Sequence, residues 1–414
     1  MAPDLVSLLE PEAFEKGVPH PLFDWLREHE PVHWNPGRPE RERAVGIVEP
    51  EQRGFWVLTR HADVVAVSRD QELFSSERGT AINADMREQD LQMFRQQMIH
   101  MDPPRHTRLR GTINDFFKPR TIKRMDDHVR ALTREIVDSV AVKGQCDFVR
   151  EVAAELPLLV LAELLGVPRE DRQLLFDWTN RLVGLDDPEY GNPYDAQAAL
   201  MELFQYCAAL AQKRKEDPRD DLMSVLVHAR IDDRELDFVE INMMFFLMVI
   251  AGNETTRNAL SGGIEALSQF PEQKARLLAD RGLLKTAVEE IVRWHSPVMQ
   301  FRRTATRDTE IAGQAIAEND KVVMYYGAAN RDERVFERAD QFDIARHPNP
   351  HLGFGIGNHF CLGANLARSE MRIMLEEILE RIPDFELDGP AERMRSNFIH
   401  GIKRMPIRFT PTSK

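Results

Sequence analysis

Helical spacing of apolar residues dominates the chain between residues 119 and 295. The longest helix predicted there covers residues 242–268, and it is so rich in apolar residues that we expect it to run through the core. Asp237 is placed to cap its start, and Pro271 stops the pattern beyond its end. The same spacing predicts further helices at residues 120–142, 283–293 and 361–382.

Strand patterns are short and fall near the N-terminus and in the last third of the chain. The candidate strands cover residues 54–58, 300–306, 309–311, 321–326 and 406–409. Gly313 and the pair Asn319-Asp320 supply turn signals between them. No repeat or long linker divides the sequence, so we expect one mainly α domain with small β-sheets over residues 1–414.

Composition narrows the class of protein. The 414 residues carry a net charge of −14, which argues against nonspecific nucleic-acid binding, and the 43% apolar content is ordinary for a folded protein. The first residues lack the pattern of a secretory signal. The most apolar stretch, residues 243–252, is shorter than the roughly 20 residues that cross a bilayer. We therefore expect a cytoplasmic protein with no membrane span and no nucleic-acid partner.

Three cysteines, Cys146, Cys207 and Cys361, make no disulfide framework. Cys361 lies in the sequence FGIGNHFCLG, residues 354–363, where a glycine-rich loop brings it to the first turn of a predicted helix. Free amide N–H groups at a helix start favour thiolate over thiol. A lone cysteine is nevertheless more often an ordinary buried side chain, so the position of this one is not decisive by itself.

The whole stretch resembles the haem-binding loop of the cytochrome P-450 family, Phe-x-x-Gly-x-x-x-Cys-x-Gly with a basic residue two before the cysteine. The resemblance implies the cytochrome P-450 fold, a single helix-rich haem domain, and haem b with Cys361 as the axial metal ligand. It also places Phe354, Gly355 and His359 beside the cofactor, with Phe354 shielding the sulfur. An iron–thiolate bond favours O–O cleavage, so the implied enzyme is a monooxygenase.

A second motif, AGNETT at residues 251–256, lies inside the long predicted helix. An acid in such an apolar stretch is costly unless it is paired, and one interpretation is a helix that leaves the core after Gly252. The motif also resembles the family's oxygen-binding segment. That resemblance implies a local helix opening at Ala251 and Gly252, beside the cofactor. It further implies that Thr255 hydrogen-bonds the reacting oxygen and that Glu254 relays protons.

Two further resemblances concern charged side chains. The segment DPPRHTRLR, residues 102–110, is similar to the family's propionate-binding motif, which implies that His106 and Arg110 bind one haem propionate. Arg303 resembles a further propionate ligand. Each of these side chains taken alone could equally be a solvated charge.

Glu290 and Arg293 are three residues apart and share a helix face, as in the buried structural Glu-x-x-Arg pair of the family. A third arginine usually completes that network. Gln341 stands where this arginine is frequent, which leaves Arg346 as the candidate replacement.

Electron supply has to be external, because no flavin or iron–sulfur region is visible in the sequence. The resemblance therefore implies a ferredoxin with its ferredoxin reductase as partners. The basic residues that would steer an acidic ferredoxin to the thiolate face, or that form an ordinary solvated surface, are Arg105, Arg108, Arg110, Lys118, Arg120, Lys123, Arg124, Arg368 and Arg372.

The family positions that line the substrate pocket are bulky and apolar here, so a hydrophobic substrate is expected. These positions are Ile82, Phe94, Leu247, Ile250, Ala251, Met299, Phe301, Phe398 and Ile399. Residues 252–258 and 396–401 resemble members that act on sterol side chains, branched lipids or terpenoids. Residues 178–194, with several prolines and glycines, are expected to form a mobile lid.

The sequence therefore predicts dioxygen-dependent hydroxylation of a hydrophobic small molecule. A same-fold enzyme that uses peroxide or catalyses a rearrangement is the first alternative, and the intact Glu254-Thr255 pair disfavours it. A non-enzymatic haem carrier or sensor is the second, and it would leave that pair unexplained.

Overall fold

A computed structural model describes residues 7–44 and 47–412, and helices make up most of its regular structure. Its α-helices are α1 His20–His29, α2 His61–Arg69, α3 Glu88–Phe94, α4 Arg105–Ile113, α5 Pro119–Ala141, α6 Glu155–Leu165, α7 Arg172–Val183, α8 Pro193–Glu216, α9 Leu222–His228, α10 Phe238–Gln269, α11 Pro271–Ala279, α12 Leu284–His295, α13 Tyr326–Ala329 and α14 Ala364–Arg381.

The strands are short and build several small sheets. They are β1 Val32–Asn35, β2 Arg41–Ala44, β3 Ile47–Glu49, β4 Phe55–Leu58, β5 Phe74–Ser75, β6 Gln145–Asp147, β7 Arg230–Ile231, β8 Arg234–Glu235, β9 Gln300–Ala305, β10 Thr309–Ile311, β11 Gln314–Ile316, β12 Lys321–Tyr325, β13 Glu386–Leu387, β14 Glu392–Arg393, β15 Ile402–Arg404 and β16 Pro406–Arg408. The largest sheet has the order β1-β4-β12-β9-β5, in which only β4 and β12 run parallel. The predicted mainly α class with small sheets is confirmed.

Helix α10 runs through the main core, as its apolar sequence predicts. It packs against α6, α7, α8, α12 and α14. Its start is a capping box: the Asp237 carboxylate accepts from the Glu240 N–H at 2.9 Å, and the Glu240 carboxylate accepts from the Asp237 N–H at 2.9 Å. The cap at Asp237 is therefore confirmed, and the helix begins four residues earlier than its apolar pattern suggests. Of the described helices, only α10 is long and apolar enough to cross a membrane, and most of that stretch is buried in the core.

Two expectations from the sequence need correction. Helix α14 begins at Ala364, with Gly363 as its N-cap, so Cys361 lies before the helix and not in its first turn. The segment at residues 178–194, which the sequence predicted as a mobile lid, makes hydrogen bonds to the rest of the protein. Trp178 is buried within α7, and the buried Asp187 carboxylate accepts from the Arg395 N–H at 2.9 Å and from Lys403 Nζ at 3.1 Å. These bonds attach the expected lid to the C-terminal segment.

A fully buried ion pair on α12 organises the region before the cysteine loop. Arg293 donates to both carboxylate oxygens of Glu290 at 2.8 Å, and to the carbonyls of Asn330, Ala339 and Gln341 at 2.8 to 2.9 Å. Arg346 Nε completes the network at 3.1 Å from Glu290 Oε2. Arg346 therefore occupies the place of the missing arginine, and Gln341 contributes its backbone carbonyl to both cations.

The network predicts a strong dependence of stability on Arg346. Its removal takes one cation from a buried carboxylate and leaves the Glu337 carbonyl without its donor, so Arg346→Leu should lower the free energy of unfolding by about 3 kcal/mol. Urea unfolding followed by far-UV circular dichroism measures the loss. The matched control is Arg408→Ala, which removes an exposed surface pair and should leave the midpoint unchanged. Equal midpoints for both variants would contradict this account.

Candidate functional site

An internal cavity of about 230 Å³ lies between the long helix α10 and the Cys361 loop. One wall is the face of α10 that carries Leu247, Ala251 and Thr255, which recur at helical spacing. The Cys361 loop forms the opposite wall. The sequence motifs at residues 251–256 and 354–363 therefore meet across one cavity, although about a hundred residues separate them in the chain.

The loop that presents Cys361 is held by its backbone and by α12. The Cys361 N–H donates to the Phe354 carbonyl at 2.8 Å. Gly357 has φ +77°, and a Cβ there would lie 2.6 Å from the Ser68 carbonyl oxygen, so only glycine fits. Arg368 lies over the Phe354 ring at 4.4 Å and makes a two-bond ion pair with Glu289 at 2.7 and 2.9 Å.

Burial raises the pKa of the Cys361 thiol, while the Gly363 N–H and the charges of Arg110 and Arg368 act in the opposite direction. The helix begins three residues after Cys361, and only its N-cap Gly363 reaches the sulfur through its N–H. A cation at the sulfur would reverse the balance, because a coordinating thiol is deprotonated by its metal. The cysteine thus has the surroundings of a metal ligand that needs its metal to ionise.

Three cationic or neutral side chains line the cavity and have no anionic partner among the described residues. Both ring nitrogens of His106 lack a hydrogen bond, and burial lowers its pKa to about 4. Arg303 is buried on β9; its Nε has no partner, and no carboxylate of the described residues forms an ion pair with it. Arg110 also lines the cavity and donates to the Phe360 carbonyl at 2.7 Å. Such orphaned donors fit an anionic ligand, as the haem propionates would be.

His359 lies beside these donors. Its ring is 4.2 Å from the His106 ring, its Nε2 is 3.3 Å from Ser76 Oγ, and burial lowers its pKa well below the usual range. Gly355, at φ +68°, lines the cavity with Phe354. The structure therefore brings together the residues that the resemblance assigns to the cofactor.

The AGNETT motif, residues 251–256, lies on an unbroken helix. Helix α10 is continuous through Ala251 and Gly252, so the expected local opening is absent from this described segment. The Thr255 hydroxyl donates to the Ala251 carbonyl at 2.9 Å and faces the cavity. Gly252 has a different use, because a Cβ there would lie 2.9 Å from Leu161 of α6. Glycine at this position allows the two helices to approach closely.

Glu254 lies on the far side of α10 from the cavity. Its carboxylate is buried, forms an ion pair with Arg257, and accepts from Asn258 Nδ2 at 2.8 Å. Arg257 also donates to Asn180 Oδ1 of α7 at 3.2 Å. In this group, Glu254 Oε2 and Arg257 Nε have no hydrogen-bond partner among the described residues. The acid is therefore compensated by charge, and the alternative of a helix leaving the core after Gly252 is wrong, because Glu254 and Thr256 are both buried.

The expected substrate positions divide into three groups. Leu247, Ala251 and Phe301 line the cavity, and Phe398 joins them through an edge contact of its ring with Phe301 at 5.6 Å. Ile250 and Met299 lie outside the cavity wall, in packed cores. The third group makes other contacts. Ile399 pairs with Val298, Phe94 packs on Phe246, and the Ile82 carbonyl accepts from the Thr80 hydroxyl in a loop.

Several wall residues carry no signal in the sequence. Met98, Ile99, Leu161, Leu164, Met248 and Val298 line the cavity. Glu370 of α14 lines it as well, and burial raises its pKa to about 8. These side chains come from separate elements, so periodicity alone could not single them out from ordinary core.

Most of the basic cluster is already paired. Arg368 binds Glu289, Arg372 binds Asp126 and Glu376, and Arg108 binds Asp232. Arg105 contacts Glu240, and Lys118 contacts Asp115. Arg120, Lys123 and Arg124 are exposed at the start of α5. The free positive surface is therefore smaller than the sequence suggests.

Comparison with known proteins shows which family this chain is similar to. The family model described as Cytochrome P450 matches residues 48–401. A steroid C26-monooxygenase of Rhodococcus jostii is 41% identical over 99% of this chain and 86% of the relative. A methyl-branched lipid omega-hydroxylase of Mycobacterium tuberculosis is 43% identical over 86% of this chain and 84% of the relative.

Solved structures give the same result. A Mycobacterium marinum cytochrome P450 in complex with pseudoionone superposes with a TM-score of 0.90 at 41% identity, covering 98% of each chain. A Novosphingobium aromaticivorans member superposes with a TM-score of 0.85 at 32% identity over 98% of this chain and 97% of that one. The chain belongs to the cytochrome P450 family and is an enzyme of its monooxygenase class.

Proposed function

We propose that this chain is a single haem domain that hydroxylates the branched end of a hydrophobic lipid or steroid. The observation that carries the proposal is that Cys361 faces the Thr255 side of α10 across one apolar cavity, which is also lined by unpartnered nitrogens of His106 and Arg303. A thiol on one wall and a hydroxyl on the other leave room for a flat cofactor between them.

Haem b fits the residues present. Cys361 would hold its iron, and His106, Arg110 and Arg303 would hold its propionates, because these donors lack carboxylate partners of their own. Iron with a thiolate ligand supplies the activation of dioxygen. The protein's share is to hold the cofactor, to exclude water, and to control protons.

Two residues on different faces of α10 would control the protons of the reaction. Thr255 presents its hydroxyl to the cavity while it donates to the Ala251 carbonyl. Glu254 Oε1 is engaged by Arg257 and Asn258, so Oε2 is the atom free to carry a proton. A change in the Arg257 contact would let the acid exchange protons towards the cavity, as general acid catalysis requires. A peroxide-dependent or rearranging enzyme has no need for this pair.

The side chains that line the cavity indicate the class of substrate. Leu247, Met248, Val298 and Phe301 present an apolar surface, which selects a hydrophobic molecule. Relatives named for steroid C26 oxidation and for methyl-branched lipid omega-hydroxylation act at the end of a branched alkyl chain. We extend this preference to a sterol side chain, a branched lipid or an acyclic terpenoid here.

An external ferredoxin with its reductase is the proposed electron donor, in a cytoplasmic location. Phe360, next to Cys361, is exposed, and Arg120, Lys123 and Arg124 offer positive charge on α5. The direct assay of the substrate class is a shift in iron spin state on addition of cholestenone, a methyl-branched fatty acid or pseudoionone. No shift with any of the three would count against it.

The ligand assignment predicts a loss of the thiolate spectrum in Cys361→Ala. The reduced wild-type protein with carbon monoxide should show a strongly red-shifted Soret band, because sulfur is the axial ligand. Cys207→Ala removes another buried thiol far from the cavity and should retain this band. A red-shifted band in Cys361→Ala would exclude Cys361 as the ligand.

The unpaired charge of Arg303 predicts opposite effects on the haem-free and haem-bound protein. Arg303→Met removes a buried cation without a carboxylate, so the haem-free protein should not lose stability. Transfer of haem to apomyoglobin should nevertheless become about tenfold faster, because a charged hydrogen bond to a propionate is lost. Arg307→Met, at an exposed position, is the control and should change neither rate nor stability. Unchanged haem transfer in Arg303→Met would remove it from the propionate site.

The Thr255 hydroxyl predicts the coupling of electrons to product. Thr255→Ala should raise hydrogen peroxide release and lower product formed per NADH, because the cavity loses the Thr255 hydroxyl. Thr255→Ser retains the hydroxyl and should stay near wild-type coupling. Equal coupling in the alanine and serine variants would show that Thr255 has no part in proton control.

A further inference from the structure

Two segments far apart in sequence form one part of the cavity wall. Residues 297–299 follow α12, and residues 398–400 lie near the C-terminus; we call the pair the wall ribbon. The His400 N–H donates to the Pro297 carbonyl at 2.8 Å, and the Met299 N–H donates to the Phe398 carbonyl at 2.9 Å. Val298 pairs with Ile399 between these bonds.

The wall ribbon touches the site directly. Pro297 and Val298 line the cavity, and the Phe398 ring meets the edge of Phe301, which lines it too. Only a few backbone hydrogen bonds join the two segments, which is too short a ladder to be rigid by itself. Something besides the ladder has to fix the ribbon's position.

Two buried histidines close the end of the ribbon. His295 Nε2 is 2.9 Å from the His400 carbonyl, and His400 Nδ1 is 2.7 Å from the His295 carbonyl. Their rings stack with centroids 4.1 Å apart and planes inclined by 15°. Because a carbonyl only accepts, each of these nitrogens must carry its hydrogen, which assigns one tautomer to each ring.

The surroundings keep both rings neutral. A Cβ on Gly262 of α10 would lie 2.2 Å from His295 Nδ1, so glycine is required where the ring meets the long helix. Arg393 lies 3.5 Å from His400 Nε2 and is itself paired with Glu265 at 2.7 Å.

Other charged or titratable groups near the pair are Arg331 and His20. Burial, with the charges of Arg393 and Arg331, lowers the pKa of His400 to about 4, and burial, with His400 and Arg393, lowers the pKa of His295 well below its usual range. Both rings are therefore neutral at neutral pH.

We infer that the His295–His400 clamp is a positioning device that determines which carbon of the substrate reacts, by fixing the wall ribbon against α10. The clamp touches neither the reacting atoms nor the cofactor. It acts through Val298 and Phe398, whose side chains bound the space beside Phe301. This inference rests on the proposed function, since it concerns the regiochemistry of that hydroxylation.

Amide side chains allow a crossed test, because asparagine places its N–H₂ near the position of Nδ1 and glutamine near that of Nε2. His295→Gln and His400→Asn keep the donor in place. His295→Asn and His400→Gln are the mismatched controls, equally polar and of similar size. All four are compared with wild type as holoenzymes, with cholestenone and a methyl-branched hexadecanoic acid as probes.

The mismatched variants should lower the ratio of chain-end to inner-carbon products and raise KM by about fivefold, which corresponds to one lost hydrogen bond. The matched variants should stay near wild type, and haem content and the carbon monoxide band should be the same in all. Equal product ratios throughout would overturn the inference. So would a mismatched variant that only loses haem, since the clamp would then be merely structural.

Failure of the proposed function gives a different pattern. If wild type converts neither probe, the substrate class is wrong, and the clamp is then judged by the affinity of a phenylimidazole that binds the iron and fills the cavity. A several-fold weaker affinity in the mismatched pair alone would support the clamp. Equal affinities in all four variants would overturn it.

Discussion

Two neighbouring carboxylates on α12 hold the segment that presents Cys361. Glu290 binds Arg293 and Arg346 and accepts from Asn349 Nδ2 at 3.1 Å, which anchors the chain before the loop. Glu289 binds Arg368 beyond the loop and lies 3.0 Å from His351 Nε2, and hydrogen bonds with these two side chains lower the pKa of Glu289 to about 2 against the effect of burial. The loop is thus fastened at both ends to one helix. A buried carboxylate without its cations would be strongly destabilising, so the arrangement is cooperative.

The cavity itself is a place where charge compensation is incomplete. Both ring nitrogens of His106 and the Nε of Arg303 are buried without a hydrogen-bond partner, and burial raises the pKa of the Cys361 thiol. Elsewhere the protein pairs its buried charges, as Glu254 with Arg257 and Arg214 with Asp221 show. Uncompensated donors in a folded protein cost free energy, and an anionic cofactor that binds only the folded state would recover it. Folding and cofactor binding are therefore expected to be linked in this chain.

Helix α10 carries Thr255 and Glu254 on different faces. Its inner face carries Thr255 towards the cavity, while its outer face carries Glu254 into a network with Arg257 and Asn258. Asn258 Oδ1 also accepts from the Ile402 N–H at 3.0 Å, just beyond the wall ribbon. The acid, the helix and the C-terminal segment are thus connected by hydrogen bonds. This connection joins the wall ribbon to the side of the helix that carries Glu254.

Local pattern by itself determined the elements and the main motifs. Helical spacing predicted α10 and a capping signal predicted Asp237, because these signals depend only on residues a few positions apart. Cys361 was assigned through the resemblance of its loop to a family motif, since its position alone did not separate a ligand from a buried thiol. Tertiary structure decided which faces meet. In the folded protein, Glu254 and Ile250 lie away from the cavity and Met299 packs in another core. Arg368 forms an ion pair with Glu289. Tertiary structure also joined His295 to His400 across 105 residues. Such contacts depend on how distant elements pack, and no short-range periodicity encodes them.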